Sequence, residues 1–433
     1  MRQLLRRLFE ATLRDIDPAA QMEPIVDEWR SRAGAGHPFL VLAYGKAARP
    51  MARALVDGLP GANWRGLVVV PEPDAEPLPP FEVIPGGHPL PSPGSMRAAA
   101  RALELARGAT SDDVVLFLAS GGGSAMLELP ADPGVTLEEL RAFYQALVGS
   151  GAGIVEINTL RRHVSAVKGG RLALAAARAA IQETVEISDV PDVRGASVAS
   201  GPSTCDPTTL DDCRAVLDRF GLWPIVPFAL RTRIQSGKLP PSLRCDSPPM
   251  SRLVFTRIGS NDHARIELRR HAEAAGLFVV EDQSVDDWPY ERAAGHLLDH
   301  LDRLHRGHPG RAVAILTGGE LSVPLPGSPG TGGRNQQFAL ACALEITGRP
   351  IAVLSAGTDG VDGNSTAAGA VVDGTTVSRA KALGLSVHDH LRRFDAFPLL
   401  HALGDAVITG PTGTNVRDLR LLVHAGRCRA APM

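Results

Sequence analysis

The residues able to do chemistry in this sequence gather where short apolar runs end. The run beginning at Val114 passes straight into Ser120-Gly121-Gly122-Gly123-Ser124, and a helix-compatible AMLEL follows. Three consecutive glycines let bare backbone N–H groups approach a ligand, and a helix N-terminus adds partial positive charge. A phosphate or a carboxylate suits that turn; a tight strand-to-helix connection with no ligand is the alternative. Lys46 directly follows the apolar Phe39–Ala43 and reads as a cation bridging phosphate oxygens or as a surface lysine. Arg334, in GGRNQQ beside Asn335, would bring its planar donor fork close to a carboxylate or phosphate. Lys168 and Arg171 share a predicted helix face near His163, as anion ligands or as a salt-bridged surface. His88 sits in the rigid loop GGHPLP.

Carboxylates supply the complementary chemistry. Asp359 and Asp362 in GTDGVDG could hold Mg²⁺ or act as base, and Asp189 at a strand end is a second candidate. A helix N-cap or a turn is the alternative for each. Glu320 and the segment Thr412-Gly413-Thr414-Asn415 complete the set. No GxxxxGK[ST] occurs, which excludes a P-loop, and Met126 stands where the third glycine of a dinucleotide fingerprint would be.

The elements that position these residues alternate between strands and helices of about 10–15 residues, the pattern of βαβ units and a largely parallel sheet. Strands are predicted at Phe39–Ala43, Trp64–Val70, Phe81–Ile84, Val114 onward, Thr184–Ser188, Leu253–Ile258, Leu277–Val280, Ala312–Thr317, Ile351–Ser355 and Ala406–Thr409. One helix is expected over residues 1–30 and a long one over Asn158–Ala180. The proline-rich LPPSLRCDSPPM reads as a linker. Ligands of open parallel sheets sit beyond the strands' carboxyl ends, and the polar clusters fall on both sides of that linker. The expected site is therefore a cleft between two domains.

Composition narrows the function classes. The 433 residues carry a net charge near −2, with 44% hydrophobic and 4% aromatic residues, so neither nucleic acid nor a membrane surface is an expected partner. No apolar run reaches the roughly 18 residues of a membrane span. The five cysteines are scattered, without a CxxC pair; a disulfide framework is not expected and a reducing cytoplasm fits.

Taken in order, YGKAA, GGHPLP, ASGGGSA, RRHVSAVKGGRLA, ISDV…ASGP, GGE, GGRNQ, GTDGVDG and GDAVITGPTGTNV resemble the class II glycerate kinase (glycerate 2-kinase) family, whose C-terminal half is the MOFRL domain. The resemblance implies an α/β protein of two domains. A Rossmann-like, doubly wound sheet would occupy 1–240, its first helix packing on the second domain. A linker at 241–250 and a MOFRL-type α/β domain at 251–433 would follow. It also implies transfer of the ATP γ-phosphoryl group to D-glycerate with Mg²⁺, giving 2-phosphoglycerate. A homodimer is compatible with it. Lys46 and Arg334 would contact phosphate or substrate, and Asp359 would be the acid/base. Other readings are a kinase for a related sugar acid, a non-catalytic sugar-acid or nucleotide sensor, and an NAD(P)H-dependent hydroxypyruvate reductase. Usual acidic positions are altered at Val193, Arg194, Gln337 and Thr366, and NVND reads Asn415-Val416-Arg417-Asp418.

Overall fold

The structure is a computed structural model that describes residues 1–33, 36–71, 76–191, 197–247, 253–324 and 327–426. Val193, Arg194 and Cys428 lie outside the described residues. The chain forms two units, one of Gln21–Ile258 and one of Met1–Ala20 with Gly259–Met433.

The first unit is built on six strands: β1 (Phe39–Tyr44), β2 (Trp64–Val70), β3 (Glu82–Pro85), β4 (Val114–Ser120), β5 (Ile181–Ile187) and β6 (Leu253–Gly259), in the order β3-β2-β1-β4-β5-β6. The pairings from β3 through β5 are parallel. Strands β1 and β4 are buried along their whole length, so their sequences are continuous apolar runs with no alternation. The chain winds outward from β1 to β3 and then crosses back to β4, so the sheet's switch point lies between β1 and β4. Tyr44 is level with Ala119 there, and both strands end together.

Sequence expectation and structure part at three places here. Residues 1–30 form two helices, Arg2–Asp15 and Pro18–Ala33, because Pro18 cannot continue the first and Asp17 caps the second through Ala19 N. The long helix expected over Asn158–Ala180 is instead Ile154–Val164 and Arg171–Ala175. Gly169 and Gly170, both with positive φ, turn the chain between them. The proline-rich stretch does not separate the units: Leu243 N donates to Gly169 O at 2.9 Å and Leu243 O accepts from Asp206 N at 2.7 Å. The boundary falls at Ile258/Gly259, because β6 completes the first sheet.

The second unit holds a mixed sheet of β7 (Phe278–Glu281), β8 (Val313–Gly319), β9 (Ile351–Gly357), β10 (Gly369–Asp373), β11 (Ala406–Val407) and β12 (Asp418–His424), ordered β11-β10-β9-β12-β8-β7. Only β7 and β8 pair in parallel; β12 runs antiparallel to both its neighbours, correcting the expectation of a largely parallel sheet. β10 and the central β12 were not expected at all. The helix Arg2–Asp15 packs in this unit, with Arg6 donating to Ala406 O at 2.8 Å. Among the described residues no helix is long and apolar enough to cross a membrane.

Cys205 and Cys245 form a disulfide across 40 residues, against the expectation of none. Five scattered cysteines carry no pairing signal, and only the folding back of the proline-rich stretch brings these two together. Closing a loop of that length limits the unfolded chain, so reduction with dithiothreitol is expected to lower the unfolding free energy by roughly 2–4 kcal/mol. Identical denaturant midpoints with and without reductant would show that the bridge adds nothing.

Candidate functional site

In the first unit the switch point is closed by backbone. Lys46 N donates to Gly121 O at 2.8 Å, Ala47 N donates to Ser120 Oγ at 2.9 Å, and the Ser120 hydroxyl donates to Tyr44 O at 3.4 Å. A Cβ on Gly45 would lie 2.4 Å from Ser120 O, so only glycine permits the strands to meet this closely. Asp189, just past β5, lies against the glycine turn: a Cβ on Gly121 would be 2.1 Å from its Oδ2. His88 covers the next residue, its Cδ2 3.2 Å from where a Gly122 Cβ would be. The structure thus gathers Lys46, His88, Asp189 and Gly121–Ser124 around one turn. The helix after it, expected to run through AMLEL, is the single turn Gly123–Met126.

Sequence reading missed the other wall of this turn. The Ser124 and Ser200 hydroxyls are 3.1 Å apart, Ser200 Oγ donates to Asn158 Oδ1 at 2.8 Å, and Arg162 donates to Ser197 Oγ. Ala199 and Ser200 both have positive φ, at 53° and 59°, a conformation that costs a non-glycine residue of order 1–3 kcal/mol. The ASGP motif was the available signal; its strain was not readable from residue types.

Lys168 and Arg171 are corrections. Lys168 is fully buried, donating to Glu128 Oε2 at 2.6 Å and Leu127 O at 3.1 Å, and Glu128 also accepts from the Tyr144 hydroxyl. Arg171 donates to the carbonyls of Arg162, Lys168 and Pro240. Both cations tie backbone segments together and present no face to a ligand. Nearby His163 is buried and bonded to Thr159 O.

In the second unit the fork of Arg334 is fixed from two sides. Its Nε and Nη2 meet Asp418 at 2.6 and 3.1 Å, and its Nη1 meets Glu320 Oε2 at 2.9 Å. Asp418 is buried and also bonds Arg420 at 3.0 Å. Burial opposes the Asp418 charge, and Arg334 with Arg420 overcomes it, holding the carboxyl below its ordinary range. Asp286 accepts from Glu320 N at 2.9 Å and pairs with both terminal nitrogens of Arg417. About a third of the Arg334 side chain stays exposed. Asp286 and Arg420 were not singled out from the sequence, and Arg417 and Asp418 entered only as a departure from NVND. Arg420 lies fully buried on β12, where its charge hid the strand.

Asp362 is the third correction. Its carboxylate accepts from the backbone N–H groups of Asn335 and Gln336, at 3.1 and 2.9 Å, and from both of their side-chain amides. It caps the helix Arg334–Glu345. Burial pushes its pKa up to about 6, against those backbone donors. Its oxygens are committed to the helix and not to a metal ion. Asn335 is likewise internal, its Oδ1 accepting from Ser355 at 2.6 Å. Asp359 follows β9, with Oδ1 accepting from Val361 N, and Thr412 N donates to Asp359 O. Thr412 Oγ1 donates to Thr358 O, Gly413 has φ 75°, and Asn415 accepts from Arg417 N.

Comparison with known proteins gives this geometry its context. Residues 4–235 match the model "Domain of unknown function (DUF4147)" and residues 313–418 match the MOFRL family. The chain is 35% identical to a glycerate 2-kinase of Pyrococcus horikoshii, over 88% of this chain and 86% of that protein. It is 36% identical to a putative hydroxypyruvate reductase of Agrobacterium vitis, over 98% and 94%. The crystal structure of a glycerate kinase from Thermotoga maritima superposes with a TM-score of 0.84 at 33% identity, covering 98% of this chain and 99% of that one.

The buried Lys168–Glu128 pair makes a direct prediction. Lys168→Met leaves a carboxylate without its cation and is expected to lose roughly 3–5 kcal/mol of stability in urea unfolding. Adding Glu128→Gln should recover a large part of that loss. A single variant as stable as the parent would show that Lys168 is not structural.

Proposed function

The chain belongs to the class II glycerate kinase family, with its DUF4147 and MOFRL parts, and from that premise we propose that it transfers the γ-phosphoryl group of ATP to D-glycerate, giving 2-phosphoglycerate. The observation that carries this reading is the switch point between β1 and β4. There Lys46, the glycine turn and Asp189 meet at the carboxyl ends of adjacent strands. Phosphoryl transfer needs neutralised phosphate oxygens and an aligned acceptor more than it needs covalent help. The Lys46 ammonium and the backbone N–H groups of Gly121–Ser124 would hold phosphate oxygens. His88, packed over Gly122, would fix the turn's outer face.

Arg334 would take the acceptor carboxylate. Its fork is already held in one plane by Asp418 and Glu320, so little side-chain freedom remains to be lost on binding. Asp359 would accept the proton of the attacking hydroxyl, and Thr412 Oγ1, bonded to Thr358 O, would keep the adjoining loop in place. Mg²⁺, when bound, neutralises phosphate oxygens. It favours carboxylate oxygens, and the Asp189 carboxylate, set against a turn without side chains, offers such donors. Asp359 is a second donor of the same kind; Asp362, enclosed by four N–H groups, is not.

The purified protein with ATP, Mg²⁺ and D-glycerate is expected to release ADP and a phosphorus NMR signal of 2-phosphoglycerate. Lys46→Ala and Arg334→Ala should each lower kcat/KM by roughly 10²–10³-fold, the scale of a removed charge-stabilising donor. Gly121→Ala should lower kcat at least about tenfold. The new Cβ would lie 2.1 Å from Asp189 Oδ2 and 2.5 Å from its Cγ, so it must displace that carboxylate. ADP with another sugar acid alone would move the acceptor, and full turnover in Lys46→Ala would remove that residue from the mechanism. The Agrobacterium vitis relative's name makes NAD(P)H with hydroxypyruvate the necessary parallel assay, and oxidation of the nicotinamide there without ADP formation would overturn the kinase reading.

A further inference from the structure

Away from the residues considered so far, the second unit gathers two imidazoles on one carboxylate. His296 and His300 stand four apart on the helix Tyr290–Gly307, and so share one face. Asp282 immediately follows β7, which pairs with β8. His300 Nδ1 lies 2.7 Å and His296 Nε2 3.0 Å from the same oxygen, Asp282 Oδ2. The three potential ligand atoms all lie within 4.8 Å of one another.

We propose that Asp282, His296 and His300 form a binding site for a divalent transition-metal ion of the Zn²⁺, Co²⁺ or Ni²⁺ class. The donor set decides the class: two neutral imidazoles and one carboxylate match borderline ions, whereas Mg²⁺ and Ca²⁺ require oxygen ligands throughout. At metal–ligand distances of about 2.0–2.2 Å, adjacent donors in a tetrahedron are about 3.3 Å apart. The observed Asp–His separations need to open by only a few tenths of an ångström, and both imidazoles, about a third exposed, have room to do so.

The surroundings favour a built site over a chance meeting of surface groups. Asp282 is itself nearly buried, and its other oxygen is held by Ser284, with Oγ at 2.6 Å and N at 3.1 Å. That bond orients the carboxylate so that Oδ2 faces both rings, as a second layer of hydrogen bonds does around many metal ligands. The Trp288 ring stands edge-on to His296 at 5.3 Å and carries the Arg292 guanidinium on its face at 3.6 Å, a wall on one side of the site. With three protein ligands and partial exposure, the fourth position remains for water or an exogenous donor. A bound ion would staple the end of β7 to the helix Tyr290–Gly307 across the segment that carries Asp286.

The test uses the full-length, tag-free protein after chelator treatment, titrated with Co²⁺ and with Zn²⁺. The expected result is one Co²⁺ per chain, with the visible d–d absorption of a low-coordinate site, displaced by Zn²⁺. Zn²⁺ should also raise the melting temperature, while Mg²⁺ in large excess should leave the Co²⁺ spectrum intact. His296→Gln and His300→Gln should each weaken binding by at least roughly tenfold. Both side chains are partly exposed, and circular dichroism of the metal-free variants establishes that they fold. Absence of a stoichiometric Co²⁺ spectrum overturns the site, as does a spectrum unchanged in both histidine variants or abolished by Mg²⁺. These readouts do not involve phosphoryl transfer, so they stand whether or not glycerate is the acceptor.

Discussion

Backbone meets backbone or carboxylate at the strand ends of this protein, at distances a Cβ would forbid. At Gly45 the obstacle is Ser120 O, 2.4 Å from a hypothetical Cβ, and at Gly121 it is Asp189 Oδ2, 2.1 Å away. In the other unit a Cβ on Gly333 would be 2.3 Å from Asp362 Oδ1. These contacts set the geometry of the strand ends. The first joins β1 to β4 at the switch point, and the second lays Asp189 on the glycine turn. The third lets Asp362 cap the helix that begins at Arg334. A side chain at any of these glycines would push the chemical groups apart.

A second constraint concerns charge without water. Asp418 and Arg420 lie fully buried at the start of the central strand β12, and neither could remain ionised there alone. Each is compensated: Asp418 by Arg334 and Arg420, and Arg420 also by Gly319 O at 3.0 Å. The exposed member of this chain is Arg334, whose guanidinium is anchored by the buried Asp418 behind it. Lys168 and Glu128 obey the same rule in the first unit. The difference is that no part of that pair reaches the surface, whereas about a third of the Arg334 side chain does.

Legibility in the sequence followed this division. Apolar runs ending in glycine marked β1, β4, β8 and β9 and placed Lys46, Gly121 and Asp359 at strand ends, because full burial leaves an uninterrupted pattern. Strand β12 escaped notice because DLRLLVH reads as a charged, half-exposed segment until Arg334 and the β8 backbone supply partners for its ions. Lys168 and Arg171 looked like ligands for a related reason: helical spacing gives a shared face but not its depth, and the helix in fact ends at Val164, before Lys168, with Gly169-Gly170 turning the chain between the two. The disulfide was hidden by the same folding back of the proline-rich stretch that was mistaken for a linker.

The altered acidic positions look different once their surroundings are known. Gln337 is buried on the helix that starts at Arg334, donating to Leu391 O at 2.6 Å, so a carboxylate there would face a carbonyl in a water-poor interior. Thr366 is exposed beyond the Asp362 cap. Arg417 brings a charge of its own, and it is met by both oxygens of Asp286, which also receives Glu320 N. The exchange at Arg417 therefore adds a brace behind Glu320, one of the two carboxylates that orient Arg334. The lost acidity at Gln337 falls on the helix that Arg334 begins, and the change from Asn to Arg at Arg417 falls beside Glu320. The groups placed at the strand ends, Asp189 and Asp359, keep their carboxylates. Physical position, more than the count of acidic residues, decides what such substitutions can alter.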